Sequence, residues 1–177
     1  ESSSTNYGTQ SGATTTSDPR LVCTVNSGAL NLGALSTSVT VTGTATFSVL
    51  NYTAYGYNVS ILGNSPTNGS HSLDALASNS PSNVGVEQFG INLKDNTTPN
   101  IGAEAAQVPS GSFSFGAAST NYNIVDSFRY VSGETIAQAP KSSGQTDYTI
   151  SYIVNTSNTT PGGSYMGNQT LLCTGTY

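Results

Sequence analysis

Alternation between apolar and polar residues at every second position is the feature that most constrains this fold. A repeat of two is the period of a β-strand with one buried face, and no segment carries a convincing helical repeat. Strands that bury a single face usually pair in antiparallel sheets. The alternating apolar residues are Val39, Val41, Phe47, Val49, Tyr55, Tyr57, Val59, Ile61, Phe89, Ile91, Leu93, Phe113, Phe115, Phe128, Tyr130, Tyr148, Ile150, Tyr152 and Val154.

Turn-forming residues separate these runs, as in Gly63–Pro66 and Thr160–Gly163. Glycine accepts positive φ and proline fixes φ near about −65°, so both favour chain reversal. The runs and turns together predict an all-β fold, an antiparallel β-sandwich of immunoglobulin-like or jelly-roll type with about nine to ten strands. Residues 67–84 and 94–109 lack the alternating pattern, and we expect them to be surface excursions.

Charged residues are scarce, and their scarcity limits the partners of the chain. Lys and Arg number 4 and Asp and Glu number 9, so charged residues make up 7% of the sequence, against about a quarter in an average soluble protein. No basic patch exists for nucleic acid, and no apolar run approaches the ~18 residues of a membrane span. The sequence begins at Glu1, and we expect a mature secreted or cell-surface chain from which a targeting segment has been removed.

The two cysteines, Cys23 and Cys173, lie in strand-like contexts near opposite ends of the patterned region. One interpretation is a disulfide that ties the first core strand to the last. The other is a pair of separate buried thiols, which behave as small hydrophobic side chains. The secreted character of the composition favours the disulfide, since such bonds form in oxidising compartments.

The chain divides into an N-terminal extension, residues 1–19, and a single β-sandwich domain, residues 20–177. The extension is rich in Ser, Thr, Gly and Gln and has little apolar surface to bury, which is typical of a segment that does not fold alone. We expect it to be held by backbone hydrogen bonds along the edge of a sheet.

No residue cluster predicts catalysis or a cofactor. His71 is the only histidine and could face Asp74, but no Gly-x-Ser-x-Gly nucleophile motif accompanies them. The acids are widely spaced, and the His and Cys ligands of a zinc site are missing. Alternation places Tyr55 and Tyr57 on one face, which favours packing in a core or interface over a ligand shelf. The sequence therefore predicts a protein that is not an enzyme and that has no metal.

Asn-x-Ser/Thr sequons occur in several predicted turns, where an oligosaccharide could be attached if the source organism has the transferase. The candidate glycosylation sites are Asn68, Asn96, Asn155 and Asn158. In a chain this rich in Asn, Ser and Thr, some sequons arise by chance.

Two short motifs resemble the spore coat U and archaic chaperone–usher pilin families. Cys23-Thr24-Val25 followed by Leu30-Asn31-Leu32-Gly33 is similar to their opening, and the segment 163–171 is similar to their closing strand. The resemblance implies an incomplete immunoglobulin-like sandwich that a neighbour's N-terminal strand completes. Residues 1–19 would then be the donor strand. The subunit contacts that the resemblance implies are Thr5, Tyr7, Thr9 and Ala13.

The sequence therefore predicts a subunit of a pilus-like extracellular fibre that binds other copies of itself head to tail. A head-to-tail contact that does not close produces a filament. The alternative is a monomeric cell-surface adhesin or carbohydrate-binding module, which predicts a concave groove lined by tyrosines.

Overall fold

A computed structural model of the chain describes residues 20–27 and 29–176. Within them the all-β prediction is confirmed. The described residues form eleven strands, slightly more than the nine to ten predicted, and three of the eleven have only two residues. One turn of 3-10 helix covers Thr120–Tyr122. In the described part of the chain, no helix has the length and apolar character needed to cross a membrane. The strands are β1 (Leu21–Val25), β2 (Val41–Asn51), β3 (Tyr57–Leu62), β4 (Gln88–Asn92), β5 (Asn96–Thr97), β6 (Asn100–Ile101), β7 (Ala106–Val108), β8 (Ala117–Ala118), β9 (Thr135–Ala139), β10 (Ser143–Asn155) and β11 (Thr170–Gly175).

Two antiparallel sheets make up the body. Sheet A has the strand order β1-β2-β10-β4, and β7 pairs with a different part of β10. Sheet B has the order β11-β3-β9-β8, and β5 and β6 form a separate small hairpin. One hydrophobic cluster joins both sheets, with Phe47 and Val49 from sheet A and Val59, Ile61 and Ile136 from sheet B. These residues occupy alternating positions of the sequence. They share the inner face of their strand because successive side chains of a strand point to opposite faces.

The two sheets differ in length, and this difference divides the molecule. Strand β10 has 13 residues and β3 has 6. At ~3.3 Å per residue, β10 is about 43 Å long and β3 is about 20 Å long. We call the part where both sheets face each other the closed half. In the remaining part, the open half, irregular segments cover the inner face of sheet A. Leu30 and Leu32, for example, pack against Gly43 of β2.

The two segments expected to be surface excursions lie on the surface, with most of their residues exposed or half-buried, but several contacts tie them to the sheets. Leu73 is buried in the core cluster, and isolated bridges join Ala75 to Phe89 and Ser80 to Phe128. Residues 94–109 contain β5, β6 and β7. Single bridges and very short strands hold these segments, which is why they lack an alternating pattern. Their exposure agrees with the expectation of surface segments.

Candidate functional site

The predicted disulfide between Cys23 and Cys173 is confirmed. Cys23 belongs to β1 at one edge of sheet A, and Cys173 belongs to β11 at one edge of sheet B. The bond therefore closes the seam between the two sheets on this side of the sandwich. Because its partners are 150 residues apart in sequence, it also ties the first described strand to the last.

Beyond the disulfide the seam opens into a cleft of about 1290 Å³. Val25, two residues after Cys23, and Leu171, two residues before Cys173, both line this cleft. Its floor is the inner face of sheet A, with Ile150, Tyr152 and Val154 of β10. The irregular segments 29–35 and 160–169 supply the walls. The cleft therefore lies in the open half and reaches the apolar core.

The strands that border this seam each have one partner. Strand β11 pairs with β3 and β1 pairs with β2, and among the described residues no strand pairs with the outer side of either. An edge strand presents N–H and C=O groups that can bond to a further strand. At Cys173 the outer side of β11 faces β1, with 6.4 Å between the two Cα atoms. The part of the β11 edge that precedes Cys173 and the cleft beside it together form the candidate site, which could receive an extended segment.

A polar cluster centred on Glu87 holds the rim of the open half. Glu87 accepts hydrogen bonds from His71 Nε2 at 2.8 Å, Thr160 Oγ1 at 2.5 Å and the backbone N–H of Asp74 at 3.1 Å. Partial burial opposes ionisation, but these hydrogen bonds outweigh it and lower the pKa of Glu87. One carboxylate thus connects three irregular segments, and Thr160 belongs to the wall of the cleft.

The N-terminal extension starts at the opposite end from this cleft. Leu21 pairs with Asn51 at the end of β2, whereas the floor of the cleft lies toward the start of β2. Arg20 therefore emerges at the far end of the closed half. The predicted contact residues Thr5, Tyr7, Thr9 and Ala13 fall in residues 1–19, outside the described residues.

His71 and Asp74, the pair considered for catalysis, are not joined by a hydrogen bond. His71 Nε2 bonds to Glu87 and not to Asp74, a pairing between loops that spacing could not reveal. Glu134 forms an ion pair with Arg129, and hydrogen bonding from Arg129 lowers the pKa of Glu134. Within the described ranges, no group of three or more His, Cys, Asp or Glu residues could hold a metal ion.

The candidate glycosylation sites fall into two groups. Asn96 and Asn155 are buried, and the Nδ2 of each already donates hydrogen bonds, so a glycan on either would disrupt the folded chain. Asn158 is exposed in a turn and Asn68 is half-buried in a loop. Attachment at Asn68 and Asn158 remains a prediction.

Tyr55 and Tyr57 do not share a face. Tyr57 is 1% exposed and begins β3, whereas the ring of Tyr55 is 65% exposed. Gly56 between them has φ of 90°, a conformation that ends the extended alternation and that favours glycine. The predicted common face was therefore wrong.

Comparisons with known proteins leave the family of this chain open. No family model matches the chain, and no curated protein and no solved structure matches it significantly. The resemblance to spore coat U and archaic pilin proteins rests on the motifs around Cys23 and in the closing strand, and it remains a prediction.

Proposed function

We propose that this protein is an extracellular structural subunit of a pilus-like fibre. Residues 1–19 of one molecule would pair with the part of the β11 edge that precedes Cys173 in the next molecule and would lie in its cleft. The observation that carries the proposal is the apolar cleft beside the outer side of β11. Strand addition draws most of its affinity from main-chain hydrogen bonds, which suits an extension with few apolar side chains.

The positions of the extension and the cleft support head-to-tail association. The extension leaves the end of the closed half, and the cleft lies in the open half. An extended segment of this length spans about 60 Å, which exceeds the length of β10. It is therefore long enough to leave one molecule and run along the cleft of another. Repetition of a contact that does not close gives a filament.

The surface and the disulfide are consistent with an extracellular location. Disulfides persist in oxidising compartments, and Cys23–Cys173 joins two strands of the sandwich. With charged residues at only 7% of the sequence, close packing of copies brings few like charges together. Uncharged hydroxyl and amide groups also respond little to changes in salt and pH.

Deletion of residues 1–17 tests the proposal directly. The full chain should form filaments visible by negative-stain electron microscopy. The truncated chain should remain a folded monomer with an unchanged circular dichroism spectrum, because the described strands begin at Leu21. Adding a peptide of residues 1–19 to the truncated chain should give a stable one-to-one complex. Filaments of the truncated chain, or a full chain that stays monomeric, would contradict the proposal.

A pair of matched substitutions tests the position of the contact. Leu30 lines the cleft and is 40% exposed, whereas Ile124 is 44% exposed and lies outside it. Leu30→Asp places a charge in the cleft and should prevent polymerisation, as measured by light scattering and sedimentation. Ile124→Asp should polymerise like the original chain. Equal polymerisation of the two variants would show that the cleft is not the contact.

A further inference from the structure

A second concavity, of about 460 Å³, lies on the outer face of sheet B toward the end of the closed half. Its floor contains Asn58 of β3 and Gln138 of β9, which pair across the two strands. Ala117 of β8 pairs with Gln138 on the other side and leaves the floor open because its side chain is small. The rings of Tyr55 and Phe115 line the same concavity. We call this surface the amide shelf.

The backbone that carries Tyr55 is anchored although its ring is exposed. Thr176 donates hydrogen bonds from Oγ1 to the carbonyl of Tyr55 at 2.5 Å and from its N–H to the carbonyl of Gly56 at 2.9 Å. Gly56 in turn packs against the backbone of Ala139 so closely that a Cβ atom would collide there. A backbone fixed before binding reduces the conformational entropy that the chain loses when a ligand covers the ring.

The second ring belongs to Phe115, whose backbone is also anchored. The backbone N–H of Phe115 donates to Ser143 Oγ at 3.0 Å. Lys141 Nζ lies 3.8 Å from the centre of the Phe115 ring, a cation–π contact that directs this charge onto the ring. The described side chains that line the shelf are themselves uncharged, and the cation of Lys141 lies against one of its two rings.

The amides on the floor are available to a ligand. The side chains of Asn58 and Gln138 form no hydrogen bond with another described residue, whereas the amides of Asn92, Asn96 and Gln88 are bonded within the protein. Each free amide offers both donors and an acceptor. A ligand with several hydroxyl groups could use all of them.

We propose that the amide shelf binds a neutral carbohydrate. Sugar rings have apolar C–H faces that can pack on Tyr55 and Phe115, and hydroxyl groups that can bond to Asn58 and Gln138. The described lining side chains are uncharged and the cation of Lys141 is engaged with the Phe115 ring, which together favour a neutral ligand over a charged one. This inference does not depend on fibre formation, because the shelf lies outside the cleft.

The test begins with the full chain on an array of neutral and charged oligosaccharides, followed by calorimetric titration with the strongest neutral ligand. Binding should persist with unchanged affinity when NaCl is raised from about 50 to about 500 mM, because screening weakens only charged contacts. An array on which no neutral oligosaccharide binds, or on which only charged ones bind, overturns the proposal.

Three variants then locate the site. Tyr55→Ala should weaken the affinity at least ~10-fold, since exposed aromatic anchors dominate such interfaces. Gln138→Ala should weaken it about 5-fold through the lost hydrogen bond. The matched control is Tyr52→Ala, because Tyr52 is 58% exposed in the same turn but does not line the shelf. Unaltered binding by Tyr55→Ala, or an equal loss in Tyr52→Ala, would overturn the assignment.

Discussion

The closed and open halves of the sandwich share the two long strands of sheet A, β2 and β10, but cover them differently. In the closed half, sheet B faces sheet A and the disulfide joins their edges. Buried hydroxyl groups there bond to one another, as in the 2.7 Å contact between Tyr57 and Tyr148. In the open half, the inner face of β10 is covered by loop segments that border the cleft.

This difference shows that an apolar strand face can be buried without a second sheet. Regular pairing satisfies the backbone groups of the closed half, and its core residues are fully buried. The loop segments of the open half depend on fewer ladder hydrogen bonds and on contacts such as those of Leu30 and Leu32 with Gly43. Local opening should therefore cost less free energy in the open half than in the closed half.

Among the changes that test the contrast between the two halves, removal of the disulfide should have the largest effect on the free energy of unfolding. In Cys23→Ala combined with Cys173→Ala, we expect the free energy of unfolding to fall by about 5 kcal/mol, since a loop of 150 residues is no longer closed in the unfolded chain. Denaturant unfolding measures this loss, and hydrogen exchange should show reduced protection in β1. The original chain under reducing conditions is the control and should match the variant. A loss below about 1 kcal/mol would mean that the closed half does not depend on the bond.

The next largest effect on stability should come from a glycine-to-alanine substitution made once in each half. A Cβ at Gly116 would collide with the hydroxyl groups of Tyr148 and Tyr57, which are buried and rigid. A Cβ at Gly43 would meet the ends of the Leu30 and Leu32 side chains, which can move. We expect Gly116→Ala to cost about 2 kcal/mol and Gly43→Ala less than about 1 kcal/mol. Denaturant unfolding of both variants checks this, and equal losses would remove the distinction between the halves.

The smallest expected effect is the faster amide exchange that acid pH should cause at the rim of the open half. Because hydrogen bonds hold the pKa of Glu87 below its usual value of 4.5, its contribution to stability is present above that value and is lost as the pH falls through the folded-state pKa. Amide exchange in residues 157–165, corrected for the intrinsic rate, should therefore accelerate a few-fold at acid pH. Glu87→Gln should remove this pH dependence.

Glu134→Gln is the matched control for that experiment. Glu134 also has a lowered pKa, caused chiefly by hydrogen bonding from Arg129, but it lies away from the cleft. Its substitution should leave the exchange of residues 157–165 unchanged. Faster exchange there in Glu134→Gln would show that acid acts on the whole fold and not on the rim.

The regular part of the fold could be predicted from the sequence because it depends on local alternation. The run at Tyr148–Val154 lies in β10, and the run that begins at Phe89 lies in β4 as far as Asn92. Cys23 and Cys173 form the expected bond. Phe113 and Phe115 follow the same pattern but lie in a turn and the residues after it. Ser114 between them donates to the carbonyl of Gln145, a contact with a distant strand that no local pattern reveals.

The two candidate sites could not be predicted because they depend on tertiary arrangement. The cleft exists because β10 is longer than β3, and the sequence does not show which strands will face each other. The amide shelf depends on pairing Asn58 with Gln138 across strands that are far apart in sequence. The position of Glu87 beside His71 likewise follows from two loops meeting.

The bond between Cys23 and Cys173 also determines how the molecule would carry mechanical load. A pull applied between the N-terminal extension and β11 passes from β1 through the sulfur atoms straight into β11. The intervening chain, which could otherwise unravel by roughly 500 Å, is bypassed and stays unstretched. Under tension the sandwich would thus act as a short, inextensible link whose core bears none of the force.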